Sequence, residues 1–302
     1  MFTDFKRPEI EDRELINSFL KQNRVEICDM TFANIYLWSR HYRTTFAIYK
    51  NTLLFHSDLD GYCSYTFPLG KEEDVRAVID EILAYCEGQV CRFQLHLVTP
   101  KQYEWLEANY PGRFCYETIR DKADYVYEQE KLATLAGKKL HSKRNHINRF
   151  EENHPDWTYE EIDHSNVEEC FQMAMEWRSE NEAEADEEMK AEVAVTMNYL
   201  RLMDELGMRG GLIRTQGRVI AFSIGEPLND DTMVVHIEKA FSEIQGAYPI
   251  INREFARHAC AGFRYVNREE DTGEEGLRKA KLSYKPIFLS EKGVVSLMPQ
   301  EG

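Results

Sequence analysis

From Trp157 to Met298 the chain changes its apolar periodicity every few residues, and the order of those changes limits its folds more than any other feature. The spacing predicts a strand over 157–162 and helices over 167–178 and 191–206. Strands over 210–215 and 218–225 follow, joined at Gln216-Gly217, a hairpin dipeptide. A strand over 232–240, a helix over 247–261, a strand over 263–267 and a helix over 272–284 come next. The last helix is expected to open on a capping box, Thr272-x-x-Glu275, and Pro286 forbids its continuation. A hairpin of 287–290 with 294–298 closes the series. Short strands interleaved with helices in this order imply an α/β domain with a mixed sheet.

The first half gives a looser version of the same order. It reads as a helix over 11–22, strands over 44–49 and 52–56 turning at Lys50-Asn51, and a strand over 62–68. In the helix predicted over 71–86, Val75, Val78, Ile79, Ile82 and Leu83 recur at helical spacing. A strand over 91–98, a helix over 100–109 and strands over 114–119 and 123–128 precede a basic helical stretch over 131–153. We therefore expect one lobe over 1–130, a basic connecting helix over 131–155 and a second lobe over 156–302. No residue-level repeat is visible, so duplication is inferred from element order alone.

Lys and Arg number 37 against 53 Asp and Glu, a net charge of −16. That balance argues against general adhesion to nucleic acid or anionic membranes. Two segments run against it: Gly137–Arg149 and Gly276–Lys285 carry several Lys and Arg and no acid. Concentrated positive charge on an acidic chain suggests a local task, most simply the holding of a phosphate. The N-terminus has no secretory h-region, and no stretch approaches the ~18–20 apolar residues of a membrane span. The seven cysteines include no Cys-x-x-Cys pair, so free thiols in a cytoplasmic protein are expected.

The element order resembles the GNAT acyltransferase fold. Lys138–Arg149, Gly276-Leu-Arg-Lys-Ala-Lys281, His236-Ile-Glu-Lys-Ala240, Gly246-Ala-Tyr248 and Asn267-Arg-Glu-Glu-Asp271 resemble segments of the C-terminal domain of lysyl-phosphatidylglycerol synthases. The resemblance implies two GNAT-like lobes in tandem. It also implies transfer of an acyl or aminoacyl group to an amine or hydroxyl, the donor being aminoacyl-tRNA or acyl-CoA. Two departures bear on that. CoA-binding GNAT enzymes usually carry Arg/Gln-x-x-Gly-x-Gly/Ala after the fourth strand, whereas Glu243-Ile-Gln-Gly246-Ala-Tyr248 stands here, with an acid at its start. The membrane-spanning half of the lysyl-phosphatidylglycerol synthases has no counterpart in this chain.

Candidate residues follow from chemistry and from that resemblance. On the 138–149 helix Leu140, Ile147 and Phe150 share an apolar face; Lys143 falls within its arc and Arg144 borders it. The segment is either a solvated connector with snorkelling side chains or a place where Lys143 and Arg144 hold a phosphate or carboxylate. Arg278, Lys281 and Lys285 form one stripe of the last helix, which with Lys279 reads as an anion clamp or as a salt-bridged surface. Asn267, Arg268 and Glu269 follow a strand and precede that helix, a junction that often lines clefts. Glu238, on an otherwise apolar strand, reads as a base, an amine ligand or a paired structural carboxylate. Tyr284 sits where GNAT enzymes often place the tyrosine that protonates the leaving group; core packing is the alternative. Asn252 is a further substrate-binding candidate.

The expected reaction is thus acyl transfer, with Glu238 or Glu269 taking the acceptor's proton and Tyr284 serving the leaving group. Lys143, Arg144, Asn252, Asn267, Arg268, Arg278, Lys279 and Lys281 would bind substrate. An acyl-CoA-dependent N-acetyltransferase and a non-catalytic ligand sensor are the alternatives. The acidic run 180–188 is a solvated segment or a dock for a cationic acceptor. No cluster has metal-ligand spacing and no Gly-x-Ser-x-Gly or Walker loop is present, so no metal is expected.

Overall fold

A computed structural model describes residues 4–59, 62–87, 91–181 and 187–299. The chain forms two compact units, one of Met1–Ala123 with Ser290–Gly302, the other of Asp124–Leu289.

The first unit opens with α1 (Arg13–Gln22) and α2 (Phe32–Trp38), then β1 (Thr45–Tyr49), β2 (Thr52–Leu59) and β3 (Tyr62–Thr66). It continues with α3 (Glu72–Glu87), β4 (Arg92–Val98), α4 (Pro100–Asn109) and β5 (Phe114–Thr118). The turn Lys50-Asn51 has φ of 46° and 56°, the left-handed pair that a two-residue hairpin requires, and Tyr49 pairs with Thr52 across it. Thr99 and Gln102 cap α4 reciprocally. The expected apolar face of α3 is buried against Leu54, Tyr65, Phe93 and Leu95 of the sheet.

The second unit holds β6 (Asp124–Glu128), α5 (Gln129–Thr134), α6 (His141–Asn153), β7 (Thr158–Glu161), α7 (Val167–Asn181), α8 (Glu187–Arg201) and α9 (Met203–Leu206). These are followed by β8 (Arg209–Thr215), β9 (Arg218–Pro227), β10 (Thr232–Ala240), α10 (Ala247–His258), β11 (Tyr265–Asn267), α11 (Glu275–Ser283) and β12 (Phe288–Ser290). Its sheet runs β12-β6-β11-β10-β9-β8-β7. Ile250, Ile251 and Phe255 of α10 are fully buried, and so are Phe222 and Ile224 of β9 and Met233 and Val234 of β10. The final strand, β13 (Gly293–Leu297), belongs to the first unit's sheet, which runs β1-β2-β3-β4-β13-β5.

Several expectations change. The closing hairpin does not form: β12 lies beside β6, whereas β13 pairs with β4 and β5. Both strands find partners far away in sequence, which local turn chemistry cannot reveal. The basic stretch over 131–153 is not one helix, because Leu135 adopts φ 52° and Gly137 φ 93°, separating α5 from α6. Both pieces belong to the second unit, as does β6. The capping box at Thr272 is absent: Thr272 and Gly273 take φ of 50° and 85°, and α11 starts at Glu275. Helix α2 had no counterpart in the sequence reading. The expectation of seven free thiols fails at Cys63 and Cys91, which form a disulfide between adjacent parallel strands with Cα atoms 5.5 Å apart. The acidic run 180–188 lies largely outside the described residues.

Candidate active site

Strand β10 organises the site. Strand β11 pairs with it only over Thr232–Val234, and the pairing with β9 slips at a bulge between Val235 and Ile237. A bulge breaks strict alternation. His236 therefore stacks on Tyr199 of α8 with centroids 5.1 Å apart, and Lys239 reaches Glu192 of the same helix at 2.5 Å. Glu238 turns instead to Asn252 of α10.

Glu238 is a node. Its Oε1 accepts from Arg268 Nη2 at 2.8 Å, and its Oε2 accepts from Asn252 Nδ2 at 3.0 Å. The side chains of Arg268 and Glu238 are 11% and 13% exposed. One further polar atom of each partner is buried with no hydrogen bond among the described residues: Arg268 Nη1, a donor, and Asn252 Oδ1, an acceptor. Such orphans cost about 1–3 kcal/mol each unless something fills them. Lys143 Nζ lies 4.1 Å from the centre of the Tyr284 ring, and the Arg268 guanidinium lies 4.9 Å from that same centre. Burial and the Arg268 charge hold the Lys143 amine below its ordinary range, with Glu238 acting the other way. Burial pushes the Tyr284 phenol well above its ordinary value.

Beside this node His236 is clamped between carboxylates, Nδ1 at 2.7 Å from Glu269 and Nε2 at 3.1 Å from Glu226. Burial opposes charge on the ring, but the hydrogen bonds to Glu226 and Glu269 outweigh it and hold His236 up at about 9. Burial likewise raises the Glu269 carboxyl.

The segment carrying Arg268 and Glu269 is fixed from all sides. Glu269 takes φ 56°, and its N–H donates to Asn267 Oδ1 at 2.8 Å. Asn267 Nδ2 in turn donates to Asp124 at 2.8 Å. Lys281 Nζ donates to the carbonyls of Arg268, at 2.6 Å, and Glu270. Asp271 accepts from Arg278 Nε and Nη2 at 2.8 and 2.7 Å and from Tyr125 Oη at 2.5 Å. Those donors, Arg278 first, hold the Asp271 carboxyl well below the usual carboxylate range.

The residues expected from sequence thus divide. Glu238, Asn252, Arg268, Lys143 and Tyr284 come together, and Glu269 lies one residue from Arg268 on the same segment. Several of the cations expected to bind an anion serve the fold instead. Arg278 is forked onto Asp271, Lys281 holds main-chain carbonyls, and Arg144 Nη1 donates to the carbonyls of Leu135 and Gly137, tying down the α5–α6 turn. Lys279 is exposed on α11, and Asn267 is a buried bracket for the loop. His236, Glu226 and Tyr199 are not among the site residues expected from sequence. The alternation His236-x-Glu238 was the available signal, but the bulge that separates the two residues was not.

The start of α10 is also built unusually. Gly246 has φ 93°, and an added Cβ would stand 2.6 Å from the His146 carbonyl oxygen and 2.7 Å from Phe150 Cβ of α6. Helix α6 therefore lies against the turn that opens α10.

With this geometry established, comparison with known proteins assigns a family. Residues 22–292 match the description phosphatidylglycerol lysyltransferase, C-terminal. The chain belongs to that family. A crystal structure of a conserved protein of unknown function from Bacteroides thetaiotaomicron is 37% identical, with 98% of this chain and 99% of that one covered and a TM-score of 0.92. The structure of L-PGS from Bacillus licheniformis is 15% identical over 97% of this chain and 93% of that one, with a TM-score of 0.67, a likeness of fold. An uncharacterised protein of Mycoplasmoides gallisepticum is 23% identical over 229 residues, 72% of this chain and 71% of that protein. The fold is mixed α/β, as expected, with two mixed sheets, and it is like that of L-PGS. Among the described residues no helix is long and apolar enough to cross a membrane.

Proposed function

We propose that the second unit is an aminoacyltransferase, moving an aminoacyl group from an aminoacyl-tRNA-like ester to an amine or hydroxyl. The observation that carries this reading is the pair of buried unpartnered atoms beside Glu238. A ligand that satisfies both must accept from Arg268 Nη1 and donate to Asn252 Oδ1. An α-aminoacyl ester does so with its carbonyl oxygen and its ammonium, and the Glu238 carboxylate lies beside that ammonium. Arg268 would then offset the negative charge that develops on the carbonyl oxygen under attack.

In the step itself the acceptor's nitrogen or oxygen forms a bond to the carbonyl carbon and the ester C–O bond breaks. The acceptor loses a proton and the departing ribose oxygen gains one. The Lys143 amine, held below its usual range, suits the first transfer. The Tyr284 phenol suits the second, because its raised value brings it closer to an alcohol leaving group than to a thiol. Glu269, hydrogen-bonded to His236, would position the Arg268 loop.

Two observations favour this donor over acyl-CoA. Helix α6 lies against Gly246, the opening of the helix whose free N–H groups would otherwise receive a pyrophosphate. The acid Glu243 stands in that same turn.

The test is transfer from a panel of labelled aminoacyl-tRNAs, and in parallel from acyl-CoAs, to candidate amines and alcohols. We expect transfer from at least one aminoacyl-tRNA, reduced at least a hundredfold in Arg268→Ala and Tyr284→Phe. Transfer from acyl-CoA alone, or rates unmoved by both substitutions, would refute the proposal.

A further inference from the structure

The first unit holds a cluster of sulfurs unrelated to the site above. Cys63 lies on β3, Cys91 immediately before β4, and Cys86 in the last turn of α3. Their three Sγ atoms all lie within 4.8 Å of one another. Cys63 and Cys91 are joined, and Cys86 is a buried free thiol against that bond. The fold determines this convergence. Strands β3 and β4 are parallel neighbours, with Cys63 opposite Phe93, and Cys86, in the last turn of α3, is buried in the same core cluster as Cys63 and Phe93.

We propose that Cys63, Cys86 and Cys91 form a redox-active three-sulfur centre in which Cys86 exchanges with the Cys63–Cys91 disulfide. The Cys86 thiolate attacks Cys91 Sγ, a Cys86–Cys91 bond forms as the Cys63–Cys91 bond breaks, and the electron pair leaves on Cys63. Cys63 takes up the proton that Cys86 gave. Attack on Cys63 Sγ releases Cys91 in the same way. The exchange is isoelectronic and needs no outside oxidant or reductant. Cys91 is half-buried, whereas Cys63 and Cys86 are buried, so Cys91 is the point at which a small thiol or disulfide enters.

The resting state follows from the surroundings. Burial and the adjacent Glu87 push the Cys86 thiol up to about 11, which keeps it protonated and slow to attack at neutral pH. Cys63–Cys91 is thus the resting pair and Cys86 the reserve. Each exchange ties the end of α3 to the sheet.

The test is a disulfide map of the full chain after equilibration with glutathione disulfide, acid quench and alkylation. Wild type should show Cys63–Cys91, Cys91→Ser should show Cys63–Cys86, and Cys63→Ser should show Cys86–Cys91. Finding only free thiols or mixed disulfides with glutathione in both variants would overturn the proposal. A second measurement avoids any loss of folding in the variants. Oxidised wild type incubated at pH 10 should yield Cys86-containing disulfides that are absent from a sample held at pH 6. A map unchanged between the two would equally count against it.

Discussion

Removing both partners of the Glu238–Arg268 pair should cost less than the two single removals added together. Glu238→Ala leaves a guanidinium that is 11% exposed without its carboxylate, and strands Asn252 Nδ2 as well. Breaking a buried pair from one side costs about 3–5 kcal/mol, and the residual exposure trims that to roughly 2–4 kcal/mol here. Arg268→Ala strands the carboxylate at a similar ~2–4 kcal/mol, so the two singles sum to roughly 4–8 kcal/mol. In the double variant neither charge is stranded, and its cost should stay near about 2–5 kcal/mol, a coupling of at least ~1 kcal/mol. The assay is a double-mutant cycle by urea denaturation, with amide exchange of β10 reporting the second unit. Lys143 supplies an independent readout. Its amine should titrate higher in Arg268→Ala and lower in Glu238→Ala, because the two charges act on it with opposite signs. Costs that add within about 0.5 kcal/mol, together with an unmoved Lys143, would show that these residues do not form one electrostatic unit.

Three further outcomes follow from the geometry. Gly246→Ala should destabilise the second unit by about 2–5 kcal/mol in urea unfolding, combining a left-handed backbone penalty with overpacking against His146 and Phe150. The depressed Asp271 carboxyl contributes stability that is complete above the unfolded carboxylate value of about 3.9 and is lost as pH falls below it; urea midpoints across pH 2–6 should lose that acid slope in Asp271→Asn. His236 has the opposite sign: its contribution is complete below the unfolded value of about 6.5 and is lost as pH rises through about 9, so its ring resonances should titrate near 9 by NMR and His236→Gln should flatten the alkaline limb.

The elements fixed by local chemistry were legible in the sequence. The Lys50-Asn51 hairpin, the apolar face of α3 and the Pro100 helix start all depend on residues within one turn of each other. The paths of β12 and β13 were not legible, since each strand is held by partners distant in the chain. The break between α5 and α6 did carry a signal in Gly137, but Leu135, which turns first, carried none. The basic segments leave anion binding open beside a salt-bridged or solvated surface, because charge counting cannot see what a side chain binds. Arg144 and Lys281 spend their donors on main-chain carbonyls, and Arg278 on a carboxylate seven residues away. Conversely Asn252, a minor candidate from sequence, gains its interest from a buried oxygen that nothing among the described residues satisfies.

In this proposal Arg268 Nη1 and Asn252 Oδ1 are waiting contacts for an aminoacyl group. A crystal structure with a non-hydrolysable 3′-aminoacylamido-adenosine tests this directly. We expect its carbonyl oxygen within hydrogen-bond reach of Arg268 Nη1 and its ammonium within reach of Asn252 Oδ1 and Glu238. An analogue bound elsewhere, or one that leaves both atoms untouched, would contradict the assignment.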